Sequence, residues 1–225
     1  MKDSPPLCRR LLDRNGGIGL TIQKETNTED INKEISLLMA SIKNLLGRIE
    51  KIFTKEIVDP KKFLINLRNR EKYLNWIIKQ NKIQFQGRIE HIYKRDIIYC
   101  NLGHNIGSEQ NSKRPVVILQ NDKGNSSSFT TIVAPISTHN NCVTTKVGDN
   151  YTIEFTNDEG QRVSKKLDYY EIPVELEPNY KTEITGYINL AQIRTIDKKR
   201  LDNTFVAKIT HENFSLIKQA FNRLL

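Results

Sequence analysis

Residues 106–138 read IGSEQNSKRPVVILQNDKGNSSSFTTIVAPIST, and the fold turns on how this stretch divides. Gly107-Ser108-Glu109-Gln110 opens a polar loop that Lys113-Arg114-Pro115 closes. Val116-Val117-Ile118-Leu119 is a continuous apolar run, short enough for a buried strand. Asn121, Asp122, Gly124 and Asn125 are turn formers, and Ser126 to Ser128 extend the loop. Thr131-Ile132-Val133-Ala134-Pro135-Ile136 is a second strand, ending in Ser137-Thr138. Two buried strands thus deliver Arg114 at the start of one and two hydroxyls at the end of the other. That places fixed polar groups at the rim of a sheet.

Downstream, Tyr151-Thr152-Ile153-Glu154-Phe155 alternates apolar and polar as a half-buried strand does. Asn157-Asp158-Glu159-Gly160 is a hairpin turn, and Gln161 to Ser164 begins the return strand. Asp168 to Val174 returns to the core, and Thr185 to Ile196 is a further strand pair in which Gln192 and Arg194 fall on one face. Thr210 caps a last helix with Phe214, Ile217, Phe221 and Leu224 along one side. Many short strands with a closing helix predict an α+β domain built on a small, strongly curved sheet or barrel.

Upstream, Arg88 to Leu102 predicts a long or broken first strand, and Ile83 and Phe85 alternate as in a short strand over Lys82–Gln86 before a turn at Gly87. Residues 27–81 read as two helices and residues 82–91 as a linker. Ile31, Ile35, Leu38, Ile42, Leu45, Ile49 and Ile52 step by four and three, one apolar seam on a helix ending near Ile57. Asp59-Pro60 starts a second helix, marked by Phe63, Leu67, Leu74, Trp76, Ile77 and Ile78, to about Gln80. Neither buries its stripe alone, so a helical hairpin or an intermolecular bundle is expected. Residues 1–26, with Pro5-Pro6 and Gly16-Gly17, read as a disordered tail.

The chain has 225 residues and a net charge of +9, which invites a nucleic-acid partner. The charge is unevenly placed. Residues 1–89 hold 18 Lys+Arg against 10 Asp+Glu, whereas residues 90–225 hold 17 against 16. The excess therefore belongs to the N-terminal region, and a broad basic footprint on the strand-rich part is not expected. Three scattered cysteines, Cys8, Cys100 and Cys142, give neither metal spacing nor a disulfide framework. With no apolar secretory stretch at the start and no run of about 20 apolar residues, the expectation is a cytoplasmic protein without a membrane span.

Several ordered blocks resemble the MazF/PemK family of toxin endoribonucleases: Gly-Ser-Glu-Gln at 107–110, Lys113-Arg114-Pro115 before the apolar strand, Gln120-Asn121-Asp122 with Gly124-Asn125, and Ile132-Val133-Ala134-Pro135-Ile136. Gln192-Ile193-Arg194-Thr195-Ile196-Asp197-Lys198-Lys199-Arg200-Leu201 is similar to the family's late strand and following turn. The resemblance covers about 92–225. It implies the compact SH3-like β-barrel shared by MazF- and CcdB-like toxins, with a C-terminal helix and here an N-terminal helical hairpin outside it. It further implies a homodimer through the barrel, a cognate antitoxin that covers the RNA groove, and cleavage of single-stranded RNA to 2′,3′-cyclic phosphate and 5′-hydroxyl ends without metal or cofactor. The sequence departs from the family at Lys94-Arg95-Asp96, where Arg-Gly-Asp is usual, so either the turn differs or the glycine's conformation is not needed. Residues 151–164 are an addition beside the site.

The resemblance assigns acid/base work to Arg114 and to a hydroxyl at Ser137, a position where threonine is common. Arg114 offers a planar, permanently charged fork to a phosphate, which makes charge stabilisation its larger contribution. Thr138 is an alternative source of the hydroxyl. Ser108, Glu109 and Gln110 are candidates for reading unstacked bases, with Gln192 and Arg194 as further RNA contacts. His139 follows the hydroxyls, though a loop histidine without a role is the plainer reading. His91, His104 and His211 have no ligand spacing. Two other functions fit the same blocks: a binding protein that has lost cleavage, and a gyrase-directed toxin on the same fold.

Overall fold

The computed structural model describes residues 11–12, 18–19, 28–53, 59–89, 91–148, 150–180, 182 and 184–225. The chain forms two compact units, 1–67 and 68–225, with the division inside the second long helix. Leu11–Leu12 (β1) and Ile18–Gly19 (β2) pair antiparallel, and the rest of the expected 1–26 tail lies outside the described residues.

Helix α1 spans Thr28–Phe53 and α2 spans Pro60–Phe85. The end of α1 expected near Ile57 falls among residues 54–58, outside the described residues. Asp59 starts α2 as read from sequence: its Oδ1 accepts from the backbone N–H of Lys61 at 2.9 Å, satisfying a helix-end donor. Along the α1 seam Ile31, Ile35, Leu38, Ile42, Leu45 and Ile52 are exposed and Ile49 is half-buried. One expectation fails here. Lys82–Gln86 is no strand, because α2 runs on to Phe85. Five alternating residues cannot outweigh a helix with no breaker before Gly87, and Ile83 on its inner side is buried.

The remaining strands are β3 (Asp96–Asn101), β4 (Lys113–Ile118), β5 (Thr130–Thr138), β6 (Asn140–Val147), β7 (Asn150–Thr156), β8 (Arg162–Lys166), β9 (Glu171–Pro173), β10 (Gly186–Asn189), β11 (Arg194–Asp197) and β12 (Leu201–Lys208). Seven form one antiparallel sheet in the order β12-β3-β4-β5-β10-β9, with β11 also on β5. β5 is the hub: Thr130–Val133 pair with β11, Val133–Pro135 with β4, and Ile136–Thr138 with β10. The described pairings run as an open path rather than a closed barrel. Apolar runs are continuous because both faces are covered. Ile97, Val117, Ala134 and Ile136 join Phe214, Ile217 and Ala220 of helix α4 (His211–Leu224), while Ile98, Val116, Ile118 and Val133 form the other core with Ile92 and Leu201. α4 is capped by Thr210, whose hydroxyl accepts from Asn213 N at 3.0 Å.

β6, β7 and β8 make a separate three-stranded antiparallel sheet, so the inserted hairpin gains a third strand. Two further differences are local. Asn121–Ser128, read as a loop, contains helix α3 (Asp122–Ser127), because the Asn121 side chain accepts from Gly124 N at 2.7 Å and closes a helical turn. Leu190–Gln192 is a turn of 3₁₀ helix capped by Asn189, so Gln192 does not share a strand face with Arg194. No described helix is long and apolar enough to cross a membrane.

The first strand of this sheet is shorter than predicted, starting at Asp96, because Arg95 turns the chain with φ +75°. The left-handed geometry that a glycine favours is thus kept by an arginine. It is held from several sides: Arg95 N donates to Ile118 O at 2.9 Å, Ile209 N donates to Arg95 O at 3.1 Å, and the guanidinium reaches Glu177 Oε1 at 2.6 Å and Ile209 O at 2.7 Å. Side-chain bonds here offset a backbone cost of about 1 kcal/mol. Removing those bonds should reverse the usual ranking of alanine over glycine. Arg95→Ala is expected to be about 1 kcal/mol less stable than Arg95→Gly in urea unfolding, whereas equal midpoints would show that the turn carries no strain.

Candidate active site

β4 and β5 pair over Val116–Ile118 and Val133–Pro135; beyond that pairing Arg114 lies near the start of β4, opposite Cys100 of β3, and Ser137 near the end of β5. Ser137 in turn pairs with Tyr187 of β10. Residues directly opposite in an antiparallel sheet share a face, which places Ser137 and Tyr187 side by side. Thr138, the next residue along β5, projects to the other face and is exposed. The hydroxyl that accompanies Arg114 is therefore that of Ser137.

Gln110 joins the two. Its Nε2 donates to Ser137 Oγ at 2.9 Å, and its Oε1 accepts from Arg114 Nη1 at 3.3 Å. Arginine has only donors, so the amide oxygen must face it and the amide nitrogen must face the serine. Ser137 Oγ is then an acceptor for Gln110, leaving its own hydrogen to give away. Arg114 is anchored by Nε, which donates to Asn111 O at 3.0 Å, while its long bond to Gln110 is readily exchanged for a better acceptor. Burial pulls the guanidinium below its usual proton affinity, partly opposed by Tyr187. It remains a cation, and a poorly solvated cation at a rim is matched to an anion.

The loop before β4 is built to hold Gln110. Asn105 Nδ2 donates to Gln110 O at 2.7 Å, and Gln110 N donates to Gln192 Oε1 at 3.2 Å. Gln192 thus positions the loop rather than lying free. Ser108 and Glu109 are exposed at its tip, where Ser108 contributes a carbonyl to Gln192 Nε2 at 3.4 Å. Arg194 opens β11 opposite Val133 and makes no hydrogen bond or ion pair among the described residues. The structure therefore brings together Arg114, Ser137, Gln110 and Gln192, and leaves Thr138 and Arg194 outside that network.

Sequence reasoning missed the support behind Ser137. Gly186 has φ +134°, and a Cβ there would lie 2.0 Å from Ser137 O, so only glycine lets β10 approach. The next residue, Tyr187, packs with Ile153 of the added sheet and with Leu167 just after it, and its hydroxyl accepts from Lys165 Nζ at 2.9 Å. Lys165 also bridges to the buried Glu171 at 2.7 Å. Tyr187 could have been found from its place opposite Ser137 only if the β5–β10 register were known. His139 lies tilted against Phe155, with centroids 3.9 Å apart, and stacks on Tyr187 at 5.7 Å, and its Nε2 is buried without a hydrogen-bond partner.

Arg114, Ser137 and Gln110 form one hydrogen-bonded polar cluster at the edge of the antiparallel sheet, with a cation and a free hydroxyl hydrogen to offer an anion. Residues 93–225 match the model of the family described as PemK-like, MazF-like toxin of type II toxin-antitoxin system, and the chain belongs to that family. It is 36% identical over 110 residues to Endoribonuclease MazF of Staphylococcus epidermidis, covering 49% of this chain and 72% of that protein. The family and this relative together class the chain as an endoribonuclease-type toxin. Among solved structures it is similar to an endoribonuclease in complex with its cognate antitoxin from Mycobacterial species (16% identity, 59% of this chain and 93% of that one, TM-score 0.38). It is also similar to MazF from Deinococcus radiodurans (13% identity, 59% and 94%, TM-score 0.39).

Burial, with help from Lys165, holds the His139 imidazole below its ordinary 6.5. Below 6.5 the unfolded chain takes up a proton that the folded chain refuses, so stability falls as pH drops through this value and levels off below the folded pKa. His139→Phe removes that contribution. Its stability relative to the parent is expected to rise between pH 7 and pH 5, measured by urea unfolding at each pH, and a constant difference would contradict the burial argument.

Proposed function

We propose that the chain is the toxin half of a toxin–antitoxin pair and cuts single-stranded RNA without metal, leaving 2′,3′-cyclic phosphate and 5′-hydroxyl ends. The observation that carries this reading is the Arg114–Gln110–Ser137 chain of hydrogen bonds.

Cleavage of this type needs the 2′-hydroxyl to give up its proton to water and attack the adjacent phosphorus, the bond from phosphorus to the 5′-oxygen to break, and that oxygen to take up a proton, while charge accumulates on the phosphate oxygens. A phosphate entering the rim replaces Gln110 Oε1 as the acceptor for Arg114, trading a long neutral-acceptor bond for a charge-assisted one. Gln110 Nε2 keeps Ser137 Oγ oriented, and the free serine hydrogen points to a second phosphate oxygen or to the departing 5′-oxygen. Arg114 mainly stabilises charge, since even with its proton affinity lowered by burial it holds a proton strongly. The exposed tip at Ser108-Glu109 supplies acceptors and donors for base edges next to the scissile bond. A homodimer through the sheet domain and an antitoxin with an acidic segment over the Arg114 rim complete the proposal. Residues 27–81 are a helical extension of the family domain, and its part from Arg68 onward belongs to the same compact unit as the sheet.

Purified protein incubated with a long RNA in EDTA should give discrete cuts, and mapping their ends reports the chemistry. Arg114→Ala is expected to lower the cleavage rate at least 100-fold, with Ser137→Ala losing less. Intact RNA with the parent protein, or cuts unaffected by Arg114→Ala, would overturn the proposal.

A further inference from the structure

The part of α2 that belongs to the sheet unit lies against the beginning of β4 and the end of β3. Trp76 sits on Gly103, where an ideal Cβ would come within 3.1 Å of its ring, and the Arg200 guanidinium lies 5.5 Å from the indole centroid. Tyr73 meets His104 edge-on at 5.7 Å, and Lys199 bonds Gln84 O while accepting from Gln86. These contacts fix the helix on the domain, and they leave two clefts beside it of about 280 and 550 Å³. Both are lined by Lys79, Asn101 and Lys113; the smaller adds Lys72 and Trp76, and the larger adds Lys82 and Arg88.

The charge in this groove is largely uncommitted. Lys113 pairs with Asp202 and Arg88 with Asp197, but Lys72, Lys79 and Lys82 have no ion-pair partner among the described residues. At the floor, Asn101 is 5% exposed and its Oδ1 is buried without a hydrogen-bond partner. The smaller cleft includes Ser112 and Lys113, the two residues immediately before Arg114. A groove with spaced cations, aromatic surface and an unpaired amide acceptor has the composition of a single-strand nucleic-acid track.

We propose that this groove, built jointly by α2 and the β3–β4 edge, is a second binding surface for single-stranded RNA, holding the strand outside the scissile phosphate. The inference rests on the ribonuclease reading of the Arg114 rim. It also explains the charge distribution: residues 90–225 carry a surplus of one positive charge, and the preceding 89 residues carry eight. Backbone affinity must come from cations, and α2 brings them to the domain. Lys72, Lys79 and Lys82 contact phosphates, and a base stacks at Trp76 and His104.

The test uses the full chain and Lys72→Ala/Lys79→Ala, two exposed helix positions where alanine keeps the helix, as circular dichroism will verify. Binding of a 30-nucleotide RNA containing a mapped cut site, with a 2′-deoxy sugar at the scissile position, is followed by anisotropy across a salt series. Two lost phosphate contacts should lower the magnitude of the salt slope by about 1.4. Cleavage of the long RNA should lose about tenfold in kcat/KM at low salt, while a six-nucleotide substrate is cut at the parental rate. An unchanged slope with an unchanged long-to-short ratio overturns the groove, as does equal loss on both substrates. A changed response to an acidic antitoxin with unchanged RNA binding overturns it too, in favour of a protein partner. If the parent cuts neither substrate, the ribonuclease reading fails, and the salt slope still decides whether the groove binds RNA.

Discussion

At Gly186 the backbone of β10 comes so close to β5 that there is no room for a side chain. This approach determines where the end of β5 lies, and hence where Ser137 presents its hydroxyl. It seats Tyr187 beside Ser137, and the adjacent Thr185 ties down the next turn, with its carbonyl accepting from His139 N at 3.0 Å and its hydroxyl donating to His139 O at 2.8 Å. Ile153 of the added three-stranded sheet and Leu167 just after it then pack on Tyr187. One missing methyl group thus sets the position of a catalytic candidate, and an insertion buttresses it from behind.

The other side of the site is governed by electrostatics. Arg114 is partly desolvated, has no carboxylate partner among the described residues, and is held by a backbone carbonyl and a neutral amide. A carboxylate would have quenched the site; an amide keeps the cation oriented and available. The near balance of charge across residues 90–225 means that attraction of a polyanion is local to this rim or is supplied from outside the domain. The lysines of α2 beside Asn101 and Lys113 are the nearest such supply.

The central strands and the capped final helix were legible because each depends on local sequence: apolar runs bounded by turn formers, and a threonine before a helix; the Gln110 side chain that links Arg114 to Ser137 comes from the loop ahead of β4. Gln192 was picked for the wrong geometry. Its 3₁₀ turn depends on the Asn189 cap, which alternation alone does not reveal. Tyr187 and Lys165 were not legible, since they meet through long-range pairing across an insertion. Arg95 was half legible: the missing glycine was visible, but the Glu177 bridge that retains the glycine-like turn comes from 82 residues away. The helix α1 was legible from apolar residues stepping by four and three, a local period that does not say what packs on them.

The central claim is that one phosphate sits between a guanidinium and a serine hydroxyl. A crystal structure of the full chain with a single-stranded RNA carrying a 2′-deoxy sugar at the cut site measures this directly. The account predicts one phosphate within hydrogen-bond distance of both Arg114 and Ser137 Oγ, with the Gln110 oxygen displaced from Arg114. A bound strand whose phosphates all lie away from that pair, with the Arg114–Gln110 bond intact, would contradict it.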